Sequence, residues 1–426
     1  MTIFFYIFAA LLIYFSFRSF RGGIDYFNYF KAELAKPLPG FTSFATVIAP
    51  CKGLDEGLAA NLNALLEQDY PEYEIIFVVD DESDSAVKTI NELISRKAAK
   101  SQSEDIIETG NSRIPPVVTA QLFASSRLCE KIPVRVIVAA KTEDSSQKVQ
   151  NLREAVLHAD PRSEVFVFVD SDARPSTVWL SSLIAPLQDE TISAATGYRW
   201  FIPQKPSFPA ELRSAWNASI ASALGPTLKS NFCWGGSTAI TRATFERLDI
   251  REAWRGTLSD DFTITRLIKA AGLSIHFVPQ ALTRSTDTCS FRELLEFTTR
   301  QIKITRVYSP HLWLMSFFGS ALFTCVMLSA FLVVALSRQT TLVVWTSITT
   351  LALVSLFSIG KARLRLTAVS LVIPEARKQF LPQLTFWIFA PPLFLYNCVR
   401  ALISRNLSWR GIRYELVSEK QTRRIG

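Results

Sequence analysis

Polar and apolar residues fall into two regimes along this chain. Four stretches, 2–17, 312–337, 339–360 and 379–399, contain no charged residue. Each approaches the ~20 apolar residues that a helix needs to cross a bilayer, the first being the shortest. Between Phe44 and Gly197 the rhythm is shorter: apolar runs at 46–49, 74–79, 134–139 and 165–169 alternate with stretches of helical spacing. Strand, helix, strand in succession predicts a doubly wound α/β sheet. The run Val165-Phe166-Val167-Phe168-Val169 is wholly β-branched or aromatic. It has no polar face, so it predicts a strand covered on both sides, as in a parallel sheet.

These patterns divide the chain. Residues 1–20 predict a transmembrane anchor: no basic residue precedes the apolar run, and Arg18, Arg21, Lys31 and Lys36 follow it. That order is the reverse of a secretory signal, so the anchor is expected to be retained and the domain after it to be cytoplasmic. Residues 21–43, where Tyr26, Phe27, Tyr29 and Phe30 interleave with polar positions before Pro37 and Pro39, predict an interfacial linker. A soluble domain is expected over 44–309, interrupted at 98–133 by a surface insertion rich in Ser, Glu and Pro. Residues 310–399 predict a membrane region of two spanning helices, an amphipathic linker and a third hydrophobic segment, and 400–426 a basic tail. After Val399 seven Arg and Lys stand against two Glu, which puts the tail in the cytoplasm by the positive-inside rule. The stretch 379–399, broken by Pro382 and Pro391-Pro392, is therefore expected to be re-entrant or interfacial instead of a full crossing.

Composition changes this picture in two places. The net charge of +8 does not point to nucleic acid, because Arg and Lys gather beside the apolar segments, where anionic lipid accounts for them. The six cysteines, Cys51, Cys129, Cys233, Cys289, Cys325 and Cys398, have no paired spacing, so they indicate neither a zinc site nor a disulfide framework.

Candidate chemistry collects where strands end. Asp170-Ser171-Asp172 follows the strand at 165–169, at the edge where open α/β sheets bind ligands. Its carboxylates suit Mg²⁺ or Mn²⁺ on a diphosphate, and the same residues suit an Asx turn. Asp80-Asp81-Glu82-Ser83-Asp84 follows the strand at 74–79 and fits either contacts to a base or ribose or the capped first turn of a helix. Lys148 opens a helix expected over 148–159, where its ammonium meets either phosphate or solvent. In Phe232-Cys233-Trp234-Gly235-Gly236-Ser237 an indole suited to a sugar face adjoins glycines that admit close backbone approach; a buried Trp beside a turn has the same pattern. Ser259-Asp260-Asp261 starts a helix that Gly272 ends, and capping alone explains it. Arg300, Lys303 and Arg306 recur at intervals of three, a basic face for a leaving diphosphate or for lipid headgroups just ahead of the apolar run at 312.

Taken in order, this set resembles the family 2 glycosyltransferases of GT-A fold, and within them the ceramide glucosyltransferase branch. The branch resemblance rests on Pro50-Cys51-Lys52-Gly53-Leu54-Asp55, Gln68-Asp69-Tyr70-Pro71-Glu72-Tyr73-Glu74, Lys148-Val149-Gln150-Asn151-Leu152 and Leu407-Ser408-Trp409-Arg410-Gly411-Ile412-Arg413-Tyr414. It runs from Val47 to Tyr414 outside the insertion. The resemblance implies a Rossmann-like nucleotide-diphospho-sugar transferase domain with transmembrane α-helices. It implies inverting transfer of a hexose, glucose above all, from a UDP-sugar to the hydroxyl of a membrane lipid, giving a β-glycolipid. By the same resemblance Asp261 is the catalytic base, Asp170 and Asp172 are the metal and donor-sugar carboxylates, and Asp81 and Lys148 bind the donor. Trp234 and Gly235 join them at the substrate, and Arg300 and Lys303 stand where the family keeps its basic product-binding motif. That motif departs here, with Lys303-Ile304 in place of Arg-Trp, losing the guanidinium fork and the ring. The alternatives are a processive polysaccharide synthase, which keeps the Trp and needs more spanning helices, and a non-catalytic membrane-anchored nucleotide-binding protein, which is expected to lose its base or metal ligand first.

Overall fold

The computed structural model describes residues 2–37, 40, 42–110 and 132–425. The chain forms two compact units, Pro37–Arg199 with Phe232–Ser285, and Met1–Lys36 with Trp200–Asn231 and Thr286–Gly426. The sequence predicts one contiguous soluble domain over 44–309; in the structure 200–231 and everything from Thr286 pack with the apolar helices.

The first unit is built on a seven-stranded sheet. Its strands are β1 (Ala45–Pro50), β2 (Tyr73–Val79), β3 (Val134–Val138), β4 (Val165–Phe168), β5 (Ile192–Thr196), β7 (Thr238–Thr241) and β8 (Ser274–Phe277), and a short β6 (Arg199–Phe201) follows β5. The order across the sheet is β3-β2-β1-β4-β7-β5-β8. All pairs are parallel except those of β7, which runs antiparallel to both β4 and β5. This is the expected α/β class, with a largely parallel central sheet. Both faces are covered, as the apolar runs require. In β4, Val165 and Val167 enter one core with Val47, Phe77 and Leu183, while Phe166 and Phe168 enter the other with Ile48, Val149, Trp254 and Ile264. The helix after β2 runs Ser85–Gly110, so the start of the expected insertion is helical; the rest of it, 111–131, lies outside the described residues.

The second unit holds the long apolar helices. Among the described residues three are long and apolar enough to cross a membrane: Thr2–Leu34, Pro310–Leu336 and Leu342–Val369. The first is one unbroken helix of 33 residues, where the sequence predicts an anchor followed by a linker from residue 21. The fourth hydrophobic stretch is a pair, Pro374–Ile388 and Ala390–Ile403, bent by 59°. Pro391 sits in the first turn of the second member, where a missing N–H costs no helical bond. The tail forms a three-stranded antiparallel sheet of β10 (Asn406–Trp409), β11 (Ile412–Ser418) and β12 (Gln421–Arg424), numbered after a short β9 (Thr283–Ser285) in the first unit. A two-residue turn joins β10 to β11, with Arg410 and Gly411 both at positive φ (52° and 77°), the geometry that matches the strands' twist.

Candidate active site

Four acidic side chains and two cations meet at the carboxyl edge of the sheet. Asp170 and Asp172 follow β4. Lys148 lies in the first turn of the helix Gln147–Ala155, whose cap Ser146 accepts from Val149 N. Ser146 Oγ also donates to Leu258 O at 2.7 Å, and its N–H to Thr257 O at 3.0 Å. These bonds tie the lysine helix to the segment leading into the helix Asp260–Ala270. The Lys148 ammonium consequently reaches Asp170 Oδ1 at 2.8 Å and Asp260 Oδ1 at 3.1 Å.

Burial works against the charge on Lys148, yet Asp170, Asp260 and Asp261 outweigh it and hold the ammonium above the usual lysine range. Asp260 is 2% exposed, and among the described residues its Oδ2 has no hydrogen-bond partner. Burial pushes its carboxyl up to about 6, against the pull of Lys148. Asp261 is half-buried. Its Oδ1 accepts from Ser259 Oγ and from Phe262 N at 2.7 Å, and its Oδ2 from Gly235 N at 3.3 Å. Ser259 is the cap the sequence predicts, and one carboxylate oxygen of Asp261 stays directed at the glycine turn.

That turn leaves no room for side chains. A Cβ on Gly235 would lie 2.2 Å from Asp260 Oδ2, and one on Gly236 2.3 Å from the Trp234 ring and 2.8 Å from Asp170 Oδ2. Trp234 is half-buried, tilted against Tyr198 with ring centroids 5.5 Å apart.

Arg199 stands in none of the motifs, yet it is the residue most engaged with the carboxylates. Its Nη2 donates to Asp170 Oδ2 at 2.9 Å and to Asp172 Oδ1 at 3.0 Å, and its Nη1 to Asp172 Oδ2 at 3.0 Å. The guanidinium lies over the Trp234 ring, 4.8 Å from its centroid. Two residues earlier, Gly197 leaves no room for a side chain: a Cβ there would meet Ala281 O at 1.9 Å. The arrangement also tests whether a divalent cation fits. Oxygens of both Asp170 and Asp172 converge on the single atom Arg199 Nη2, so the pair defines one cation position lined by hard oxygens. Among the described residues no group of three or more His, Cys, Asp or Glu is set to hold a metal. Two carboxylates suffice for Mg²⁺, which takes its other ligands from phosphate and water. The residues fit the ion.

The other candidate residues bond to other partners. Asp81 bonds to Lys141 at 2.7 Å and to Ser83, and to none of this cluster; those bonds hold its carboxyl below the usual range. Asp80 beside it is buried and paired with Lys52 at 2.5 Å. Arg300 and Lys303 belong to the second unit, on the helix Phe291–Tyr308, which a Ser290–Glu293 capping box opens. Their basic face turns to main-chain carbonyls. Arg300 donates to Ser408 O and lies over Trp409, Lys303 donates to Asn406 O, and Arg306 donates to Ala401 O.

The chain thus joins an α/β sheet with a cluster of acids and two cations at its carboxyl edge to apolar helices long enough to cross a membrane. The family model for glycosyl transferase family 21 matches residues 15–101 and 124–422, and the chain belongs to that family. A curated relative, the ceramide glucosyltransferase of Komagataella phaffii, is 27% identical over 95 residues, 22% of this chain and 18% of that protein. Both matches agree with the ceramide glucosyltransferase-like character read from the motifs. Among solved structures, the mannosyltransferase PcManGT of Pyrobaculum calidifontis, in complex with GDP-Man and Mn²⁺, is similar at a TM-score of 0.46 and 16% identity, covering 93% of this chain and 99% of that one.

Proposed function

We propose that this protein transfers a hexose from a UDP-sugar to the hydroxyl of a membrane lipid on the cytoplasmic side, with inversion to a β-glycolipid. The observation that carries the reading is the Lys148 bridge: one ammonium binds both the Asp170 carboxylate and Asp260, next to Asp261. A donor group and an acceptor group of acids are thereby held in one cluster. Family membership and the name of the curated relative support the lipid acceptor.

In this reading Asp81 contacts the nucleoside, Lys148 the diphosphate, and Trp234 with Gly235 the transferred sugar. Asp261 takes the proton of the acceptor hydroxyl as its oxygen attacks the anomeric carbon, and the bond to the diphosphate breaks with its electron pair leaving on UDP. Asp170 and Asp172 would hold Mg²⁺ or Mn²⁺, which when bound offsets the charge gathering on the leaving diphosphate. Arg300 and Lys303 are proposed at the product diphosphate by resemblance alone.

Membranes containing the protein, incubated with labelled UDP-glucose and other nucleotide sugars, test the reading by product. A labelled glycolipid is expected. A labelled polymer would make the protein a polysaccharide synthase, and no transfer from any nucleotide sugar would make it a binding protein.

A further inference from the structure

Arg199 occupies the one point on which Asp170 and Asp172 converge. Its Nη2 lies at 2.9 and 3.0 Å from an oxygen of each, and Nη1 takes the second oxygen of Asp172. The fourth oxygen, Asp170 Oδ1, is held by Lys148. Every oxygen of the Asp-x-Asp pair therefore already receives a charged donor from the protein. The arginine is a fixed feature: it is 8% exposed, its fork is bidentate on Asp172, and its face lies on Trp234. A bidentate guanidinium is among the strong pairings a carboxylate finds within a protein. A guanidinium and a divalent cation cannot share one point, because they repel and both need the same oxygens.

We propose, on the strength of the function read above, that Arg199 is a resident counter-ion that keeps Asp170 and Asp172 closed to divalent cations until the donor arrives. The charge of the four acids explains the need. Asp170, Asp172, Asp260 and Asp261 crowd a largely buried space with Lys148 as the other facing cation, and without Arg199 both oxygens of Asp172 and Oδ2 of Asp170 would lose the charged donor they have. The charge of the diphosphate then decides the exchange. In the free protein the arginine outcompetes the metal, whereas a bound diphosphate adds ligands that favour the metal and an anion for the released guanidinium. Metal affinity is thus made dependent on donor, and Arg199 is a positioning residue for the carboxylates.

Mn²⁺ titration of the purified full-length protein, followed by electron paramagnetic resonance with and without UDP, reads this without turnover. The wild type is expected to bind Mn²⁺ weakly alone and tightly with UDP. Arg199→Gln is expected to raise the UDP-free affinity about tenfold or more, the worth of one charge-assisted hydrogen bond, and to shrink the gain from UDP by the same factor. Arg199→Lys keeps the charge but lacks the fork, so a smaller rise is expected, and it decides the matter if the Gln variant does not fold. UDP-free affinity that is unchanged or weaker in a folded variant would overturn the proposal. Asp172→Asn separates the two readings. If it abolishes Mn²⁺ binding with UDP while the Arg199 variants match wild type, only the counter-ion role fails. If the wild type binds no Mn²⁺ even with UDP, the metal site and the counter-ion role fail together.

Discussion

Lys148 and Asp260 pair at 3.1 Å inside the unit that holds the seven-stranded sheet, with Asp260 almost wholly buried and its second oxygen without a partner among the described residues. Burial raises the Asp260 carboxyl from 3.8 to about 6. Between those values the folded protein holds a proton that the unfolded chain has released. The group's contribution to stability is therefore present below pH 3.8 and lost as pH rises through about 6. Asp260→Asn cannot ionise, so it is expected to flatten the fall in Tm over that interval. Matching Tm profiles for variant and wild type would show that Asp260 titrates as an ordinary carboxylate.

Asp261→Asn is expected to lower kcat by ~10²–10⁴ with donor binding nearly unchanged, because Asn still accepts from Phe262 N and still ends the turn but takes no proton. Single-turnover transfer and UDP-sugar binding, measured on the same sample, check this. Full activity in a folded Asp261→Asn protein would leave the residue as a first-turn acid at the start of the helix.

Gly235→Ala places a methyl 2.2 Å from Asp260 Oδ2 and 2.9 Å from Lys148 Nζ. The pair must move apart, at a cost of about 1–3 kcal/mol for overpacking, and activity is expected to fall further than stability. Tm and kcat measured together distinguish this from general unfolding, and an active, stable Ala variant would mean that the Lys148–Asp260 spacing does not matter.

Lys303 is 8% exposed and donates to the Asn406 carbonyl. Lys303→Ala leaves that carbonyl without its charged donor, so hydrogen exchange is expected to rise across Asn406–Trp409, by about 1–3 kcal/mol of local stability. Exchange unchanged in β10 would free Lys303 for a role at substrate.

The tail is expected to face the cytoplasm, the bent pair Pro374–Ile388 and Ala390–Ile403 entering and leaving on one side. Ser418→Cys should then label only after the cytoplasmic face is opened to the reagent. Labelling from outside in intact cells would make the bent pair a full crossing.

The sequence carried the parallel core well. Apolar runs at 46–49, 74–79, 134–139 and 165–169 became β1 to β4 within a residue or two at each end, because strands buried on both faces admit little else. Asp170 and Asp172 followed from where β4 must stop. Strand β7 was not legible: Thr238-Ala239-Ile240-Thr241 is short and half polar, and only its place between β4 and β5 makes it a strand. Arg199 escaped for a related reason, since its carboxylate partners lie 27 and 29 residues earlier, in the turn that follows another strand. The basic face of Phe291–Tyr308 was visible, but its acceptors are main-chain carbonyls of the tail, which leave no trace in residue types.

Strand order also sets a timetable for biosynthesis. A nascent chain finished through Thr196 can pair β3, β2, β1 and β4, but the far side of β4 waits for β7, and β5 finds both its neighbours only in β7 and β8. Until residues 200–231 have emerged and β7 follows them, β4 is an open edge of Val and Phe, the kind that recruits strands from other molecules. Trp234, Gly235 and Gly236 stand just ahead of β7, so the sheet closes as the glycine turn of the site forms, and the site itself waits for Asp260 and Asp261. A ribosome stalled before Thr238 therefore yields an inactive product with an exposed adhesive edge, and chaperone demand should peak in that window.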